Sequence, residues 1–74
     1  MYLIKRNINR LMVNEKFKIQ KILEIFTKTG IPICFAVNKK KQIVGSLTDG
    51  DIRRSLLKGY KFSDKIDKIL ISLH

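Results

Sequence analysis

The chain is poor in the residues that most often carry chemistry. Its 74 residues include one cysteine, one histidine, one proline and no tryptophan. A single cysteine, Cys34, excludes an intrachain disulfide. Cys34 and His74 stand far apart in sequence and supply no metal-ligand spacing. There is no serine–histidine pairing and no P-loop glycine pattern, so neither nucleophilic catalysis nor a Walker-type phosphate site is indicated. No apolar run approaches the roughly 18 residues that a membrane span needs. Residues Met1 to Arg6 lack the apolar block and cleavage site of a signal peptide, and a cytoplasmic location is expected. The chain therefore reads as a non-enzyme, with no catalytic residue, no metal ligand and no required cofactor.

Acidic residues are also scarce, with 6 against 16 lysines and arginines and a net charge of +10. Such an excess points toward nucleic acid, membrane surfaces or phosphorylated ligands. Its distribution argues against the first two. Lys16, Lys18, Lys21 and Lys28 alternate with apolar residues and read as the wet side of a helix. The only run, Lys39-Lys40-Lys41, falls where a hairpin must turn. No aromatic–basic stacking pattern, helix-turn-helix spacing or zinc spacing accompanies the charge, so a basic nucleic-acid-binding module is the weaker alternative.

What the chain has is apolar patterning: 45% of its residues are hydrophobic, a globular share. A lone core below about 80 residues supplies only about 3–5 kcal/mol, so a partner or a staple is expected. Ile4, Ile8, Leu11 and Met12 fall at helical spacing and predict a helical arm over residues 1–13. Ile19, Ile22, Leu23 and Phe26 predict an amphipathic helix over Phe17–Thr29, with Asn14 as N-cap and Gly30 as its left-handed stop. Ile31–Val37 is nearly unbroken apolar chain and predicts a strand buried on both faces, with Cys34 as an inert thiol inside it. Pro32, which has no N–H to donate, marks its start. Gln42–Leu47 returns as the second strand of an antiparallel hairpin. A second helix over Asp49–Lys58 should turn Ile52, Leu56 and Leu57 inward and stop at Gly59. Ser63 is a good N-cap for a last short helix, whose Ile66, Ile69, Leu70 and Leu73 find little left in the chain to cover them. The class is α+β.

The densest chemistry lies at Gly45-Ser46-Leu47-Thr48-Asp49-Gly50-Asp51-Ile52-Arg53-Arg54-Ser55. A strand runs into a hydroxyl and two carboxylates, and a helix then opens with two arginines. Such a corner can hold a phosphate at the helix N-terminus while a carboxylate takes ribose hydroxyls. Arg54, one turn after Asp51, can pair with a phosphate. The same residues also fit a plain helix cap, with Thr48 and Asp51 closing it and Arg54 solvated.

The order helix-strand-strand-helix, with Gly30-Ile31 after the first helix, Phe35-Ala36-Val37-Asn38 closing a strand and Gly45-x-x-Thr48-Asp49-x-Asp51 opening the second helix, resembles a CBS domain (cystathionine-β-synthase-type repeat) over about residues 14–59. The string Thr48 to Gly59 is similar to CBS repeats attached to bacterial and archaeal sugar-phosphate nucleotidyltransferases. Sugar-phosphate isomerases with CBS tails carry a comparable string. The resemblance implies a regulatory half of a Bateman module. Its small sheet would be completed by a second repeat or by homodimerisation, and it would sense an adenosine-type nucleotide (AMP, ADP or ATP) for an attached catalytic domain. It implies that Thr48 approaches a phosphate or ribose, that Asp51 accepts the ribose hydroxyls, and that Ile31 and Ile33 flank the adenine. Residues 60–74 would lead toward a second repeat, so a fragment of a longer protein, or a single repeat that dimerises, is expected. A purely structural dimerisation module is the alternative. Two positions depart from the family: Phe35 stands at a common proline and can fill part of the cleft, and Asn38 stands at a common aspartate.

Overall fold

The computed structural model describes the backbone of residues 9–73 and the side chains of residues 9–70. Strand β1 (Met12–Asn14) leads to helix α1 (Ile19–Thr29), strands β2 (Ile33–Val37) and β3 (Ile43–Thr48), and helices α2 (Asp49–Leu57) and α3 (Ile66–Leu73). The strands form one sheet in the order β1-β2-β3. β1 is parallel to β2 (Met12 opposite Phe35), and β3 is antiparallel to it (Ile33 opposite Thr48).

The third strand corrects the expectation of a helical arm reaching Val13. Residues 9–11 are helical, but Met12–Asn14 pair with Phe35–Val37. The rest of the expected arm lies outside the described residues. A two-stranded sheet is marginal alone, and a third strand gives β2 a neighbour on both sides.

One face of the sheet is packed. Val13, Cys34, Ala36 and Leu47 join Ile19, Ile22 and Phe26 of α1, Ile52 of α2, and Ile66, Ile69 and Leu70 of α3 in one buried cluster. Residues paired across strands share a face, so Met12, Phe35 and Ser46 lie together on the other side, as do Ile33 and Thr48. There Ile33, Phe35 and Val37 are half-buried, while Ile43 is 51% and Val44 39% exposed. β2 was expected to be buried on both faces; the helices cover only one.

Helix α1 follows its apolar stripe and stops at Gly30, whose φ of 71° is the left-handed conformation glycine adopts without strain. Its start is not capped by Asn14. The Asn14 Oδ1 accepts from the Lys16 N–H at 2.8 Å and shapes the preceding turn, and the helix begins two residues later than expected. The N-cap, Lys18, makes no side-chain cap bond. Instead the N–H groups of Ile19 and Gln20 donate to the carbonyls of Asp64 and Phe62, at 2.9 and 3.0 Å. Helix α3 is served the same way in reverse: Ile66 and Asp67 donate to the carbonyls of Phe17 and Glu15, at 2.9 and 3.1 Å. A β-bridge between Lys18 and Lys65 lies between the two sets, and the Lys16 Nζ reaches the Asp67 Oδ2 at 2.8 Å. The two helix starts thus satisfy each other's orphan donors. This docks α3 and covers Ile66, Ile69 and Leu70, which the sequence had left without a cover.

Helix α2 presents Ile52 and Ser55 to the core, with Leu56 partly buried and Leu57 87% exposed. The inward assignment of Leu57 is corrected by helix geometry, since five residues turn the chain about 140° away from the face of Ile52. Ser55 can be buried because its hydroxyl donates to the Asp51 carbonyl at 2.9 Å.

Candidate functional site

The corner between β3 and α2 is built from short-range bonds. Thr48 is extended (φ −105°, ψ 168°) and is the N-cap of α2. Its hydroxyl oxygen accepts from the Asp51 N–H at 3.2 Å, while the Asp51 Oδ2 accepts from the Thr48 N–H at 2.9 Å. Each residue fills the other's free valence, a reciprocal capping box. The Asp49 N–H donates to the Pro32 carbonyl at 3.0 Å, which ties the helix start to the beginning of β2. Proline was read as a strand marker only, but its carbonyl is a structural member of this corner. Ile33 pairs with Thr48 across the sheet. The Ile31 N–H is held by the Thr29 hydroxyl at 3.2 Å. A pairing and two side-chain contacts therefore link Ile33, Thr48, Asp51 and Arg54 in series at one end of the sheet, with Ile31 on the adjoining turn.

The charges are internally paired. The Arg54 Nη2 donates to the Asp51 Oδ1 at 2.7 Å, and the Arg53 Nε to the Asp49 Oδ2 at 3.0 Å. The Asp51 side chain is 20% exposed, against 63% for Arg54. The Thr48 N–H does most to hold the Asp51 carboxyl below its usual range; partial burial opposes this and the Arg54 bonds add to it. Asp51 is thus an ionised acceptor at neutral pH, suited to binding hydroxyls and unsuited to general-acid work. Gly50 escaped the sequence reading as a site residue. A Cβ there would stand 3.2 Å from the Arg54 Nη1, so the guanidinium lies over the bare glycine backbone. No local pattern marks such a contact, although a glycine inside a helix start is itself a signal.

Cys34 is fully buried, and desolvation pushes its thiol up to about 11, as expected of an inert core sulfur. Asn38 has a structural task that an aspartate could not perform in full. Its Oδ1 accepts from the N–H groups of Lys40 and Gln42, while its Nδ2 donates to the Gln42 side chain at 3.0 Å. Lys41 completes this turn at a positive φ of 62°. Open depressions lie elsewhere. One of about 450 Å³ runs beside Leu23, Thr27 and Phe62, and one of about 420 Å³ lies beside Lys16, Asn38 and Lys39. Among the described residues no cluster of three metal-ligating side chains exists, and no helix is long and apolar enough to cross a membrane.

No family model and no curated protein matches the chain. Among solved structures it is similar to a CBS domain protein from Pyrobaculum aerophilum complexed with AMP, with a TM-score of 0.72 at 15% identity. The match covers 80% of this chain and 47% of that one, so the chain spans about half the length of the structure it matches. The fold is that of a CBS domain: a small α+β unit with a three-stranded sheet and helices.

Proposed function

We propose that this chain is one half of a paired regulatory module that binds an adenosine-type nucleotide at the Thr48–Asp51 corner. One observation carries the reading. An ionised carboxylate, a hydroxyl and a guanidinium converge at the end of β3, beside an apolar sheet face that the described helices leave half-open, in a fold whose solved relative is complexed with AMP. A second copy, or a second repeat in the same polypeptide, laid on that face would wall a cleft against the corner. Ile31 and Ile33 would form the apolar side of the cleft and Asp51 would accept the ribose hydroxyls. Thr48 and Arg54 would serve the phosphate end. A ligand bound between two halves shifts their relative arrangement only through its differing affinity for the two arrangements. The partner that reads this change is, on the wording of residues Thr48 to Gly59, a sugar-phosphate nucleotidyltransferase.

The test is thermal melting with AMP and with ATP. At ten times its dissociation constant a ligand adds about 1.4 kcal/mol, which raises the midpoint of a domain this size by about 6–11 °C. Asp51→Asn keeps an acceptor for the Thr48 N–H and removes the charge; it should lose the shift while still folding. An unchanged midpoint for the unsubstituted chain at millimolar nucleotide overturns the reading.

The exposed Ile43 and Val44, with the half-buried Phe35 and Val37 beside them, favour a second reading, a structural dimerisation module that needs no ligand. Sedimentation without nucleotide separates the two: a ligand-independent dimer with no nucleotide-induced stabilisation supports the second.

A further inference from the structure

Arg54 occupies the carboxylate that the proposed nucleotide would use. Its guanidinium donates to the Asp51 Oδ1 at 2.7 Å, and the other oxygen is taken by the Thr48 N–H at 2.9 Å. The two bonds differ in kind. The Thr48 bond belongs to the backbone of the cap and cannot be released without opening the helix start. The Arg54 bond is made by a long side chain, 63% exposed, whose tip rests over Gly50. It is the only part of the arrangement that can move without cost to the fold, because an exposed ion pair is weak and readily exchanged. A ribose seeking Asp51 must therefore contend with Arg54 and not with the cap.

Resting on the nucleotide-binding reading above, we infer that Arg54 is a gate that makes the corner selective for phosphorylated ribonucleosides over free nucleosides. A neutral nucleoside that displaces the guanidinium leaves it without an anion. A nucleoside 5′-phosphate offers the guanidinium a replacement of higher charge and bidentate geometry, so the arginine is exchanged from carboxylate to phosphate as the hydroxyls take the carboxylate. The phosphate contributes twice, once by binding Arg54 and once by uncovering Asp51. Gly50 is the second element of the gate. An alanine there meets the flexible end of Arg54 at 3.2 Å and pushes it from its resting place, with the charge retained.

The experiment is calorimetric titration of the full chain with AMP and with adenosine, in the unsubstituted form and as Arg54→Gln and Gly50→Ala. The gate predicts that Arg54→Gln weakens AMP and strengthens adenosine, narrowing the ratio of their affinities by about tenfold or more. Gly50→Ala should strengthen adenosine while AMP still binds. An arginine that merely contacts phosphate would give weaker AMP with adenosine unchanged in both variants, and that result overturns the gate while leaving nucleotide binding intact. If the unsubstituted chain binds neither compound, the nucleotide reading itself fails. Circular dichroism of both variants confirms that the cap and helix persist, since neither substitution removes a member of the Thr48–Asp51 box.

Discussion

The two faces of the central strand are built from similar residues and meet different fates. Cys34 and Ala36 point into a cluster closed by three helices, and with Leu47 of the neighbouring strand they are fully buried. Ile33, Phe35 and Val37, one residue out of step, stay half-buried beside the exposed Ile43 and Val44. Alternation along a strand normally separates apolar from polar. Here it separates small apolar residues, over which helices can approach closely, from larger ones that, among the described residues, stay only half-buried. On the proposed reading, one face is finished by folding and the other is left for a partner, with the candidate nucleotide corner at the end of the strand they share.

Substitutions on the two faces should therefore fail in different ways. The largest effect is expected from Leu47→Ala on the closed face, a loss of about 2–5 kcal/mol. That is comparable to the whole stability of about 3–5 kcal/mol expected of a core this small. Urea titration should show it largely unfolded at 25 °C, and a cooperative transition close to that of the unsubstituted chain would break the contrast. Phe35→Ser on the open face should cost only about 1 kcal/mol in the monomer. Its main consequence should be loss of self-association in sedimentation velocity. If the association survives, the open face is not where copies meet.

The smallest effect belongs to Cys34. Its folded-state pKa is raised from 9.0 to about 11, so burial stabilises the chain only while the thiol stays protonated. That contribution is complete below pH 9.0 and is lost as pH rises toward about 11. The melting point of the unsubstituted chain should fall more steeply across this window than that of Cys34→Ala. At neutral pH a thiol reagent should label Cys34 only as fast as the chain opens. Parallel alkaline profiles, or prompt labelling of the native state, would show that the closed face is not sealed.

Much of the fold was legible because its signals are local. The stripe Ile19, Ile22, Leu23, Phe26 and the stop at Gly30 located α1 to within two residues of its start. The change from an apolar strand to Thr48-Asp49-Gly50-Asp51 located the end of β3 to within one residue and the start of α2 at Asp49. The corner was legible as an alternative between cap and binding site. Its geometry is that of a cap, and the bonds that form it leave Asp51 ionised, with the Thr48 N–H on one carboxylate oxygen and Arg54 on the other. Three features escaped. Strand β1 is three residues long, too short for a period to register, and its partner lies more than twenty residues away. Leu57 was turned inward on hydrophobicity alone, where helix angle favours Ser55. The reach of Arg54 over Gly50 depends on one rotamer.

Residue identity alone decided the α+β class, the helix–hairpin–helix order, the inert thiol and the chemistry available at the corner. Periodicity, left-handed glycine and side-chain capping all act within a few positions, so they are written in the residues themselves. Three-dimensional folding decided which apolar face is closed, that Met12–Asn14 joins the sheet, and that α1 and α3 cap each other. Those outcomes depend on backbone carbonyls and amides, which every residue type offers alike. A donor at Ile19 finds an acceptor at Asp64 because the chain brings them together, and nothing in either side chain announces it.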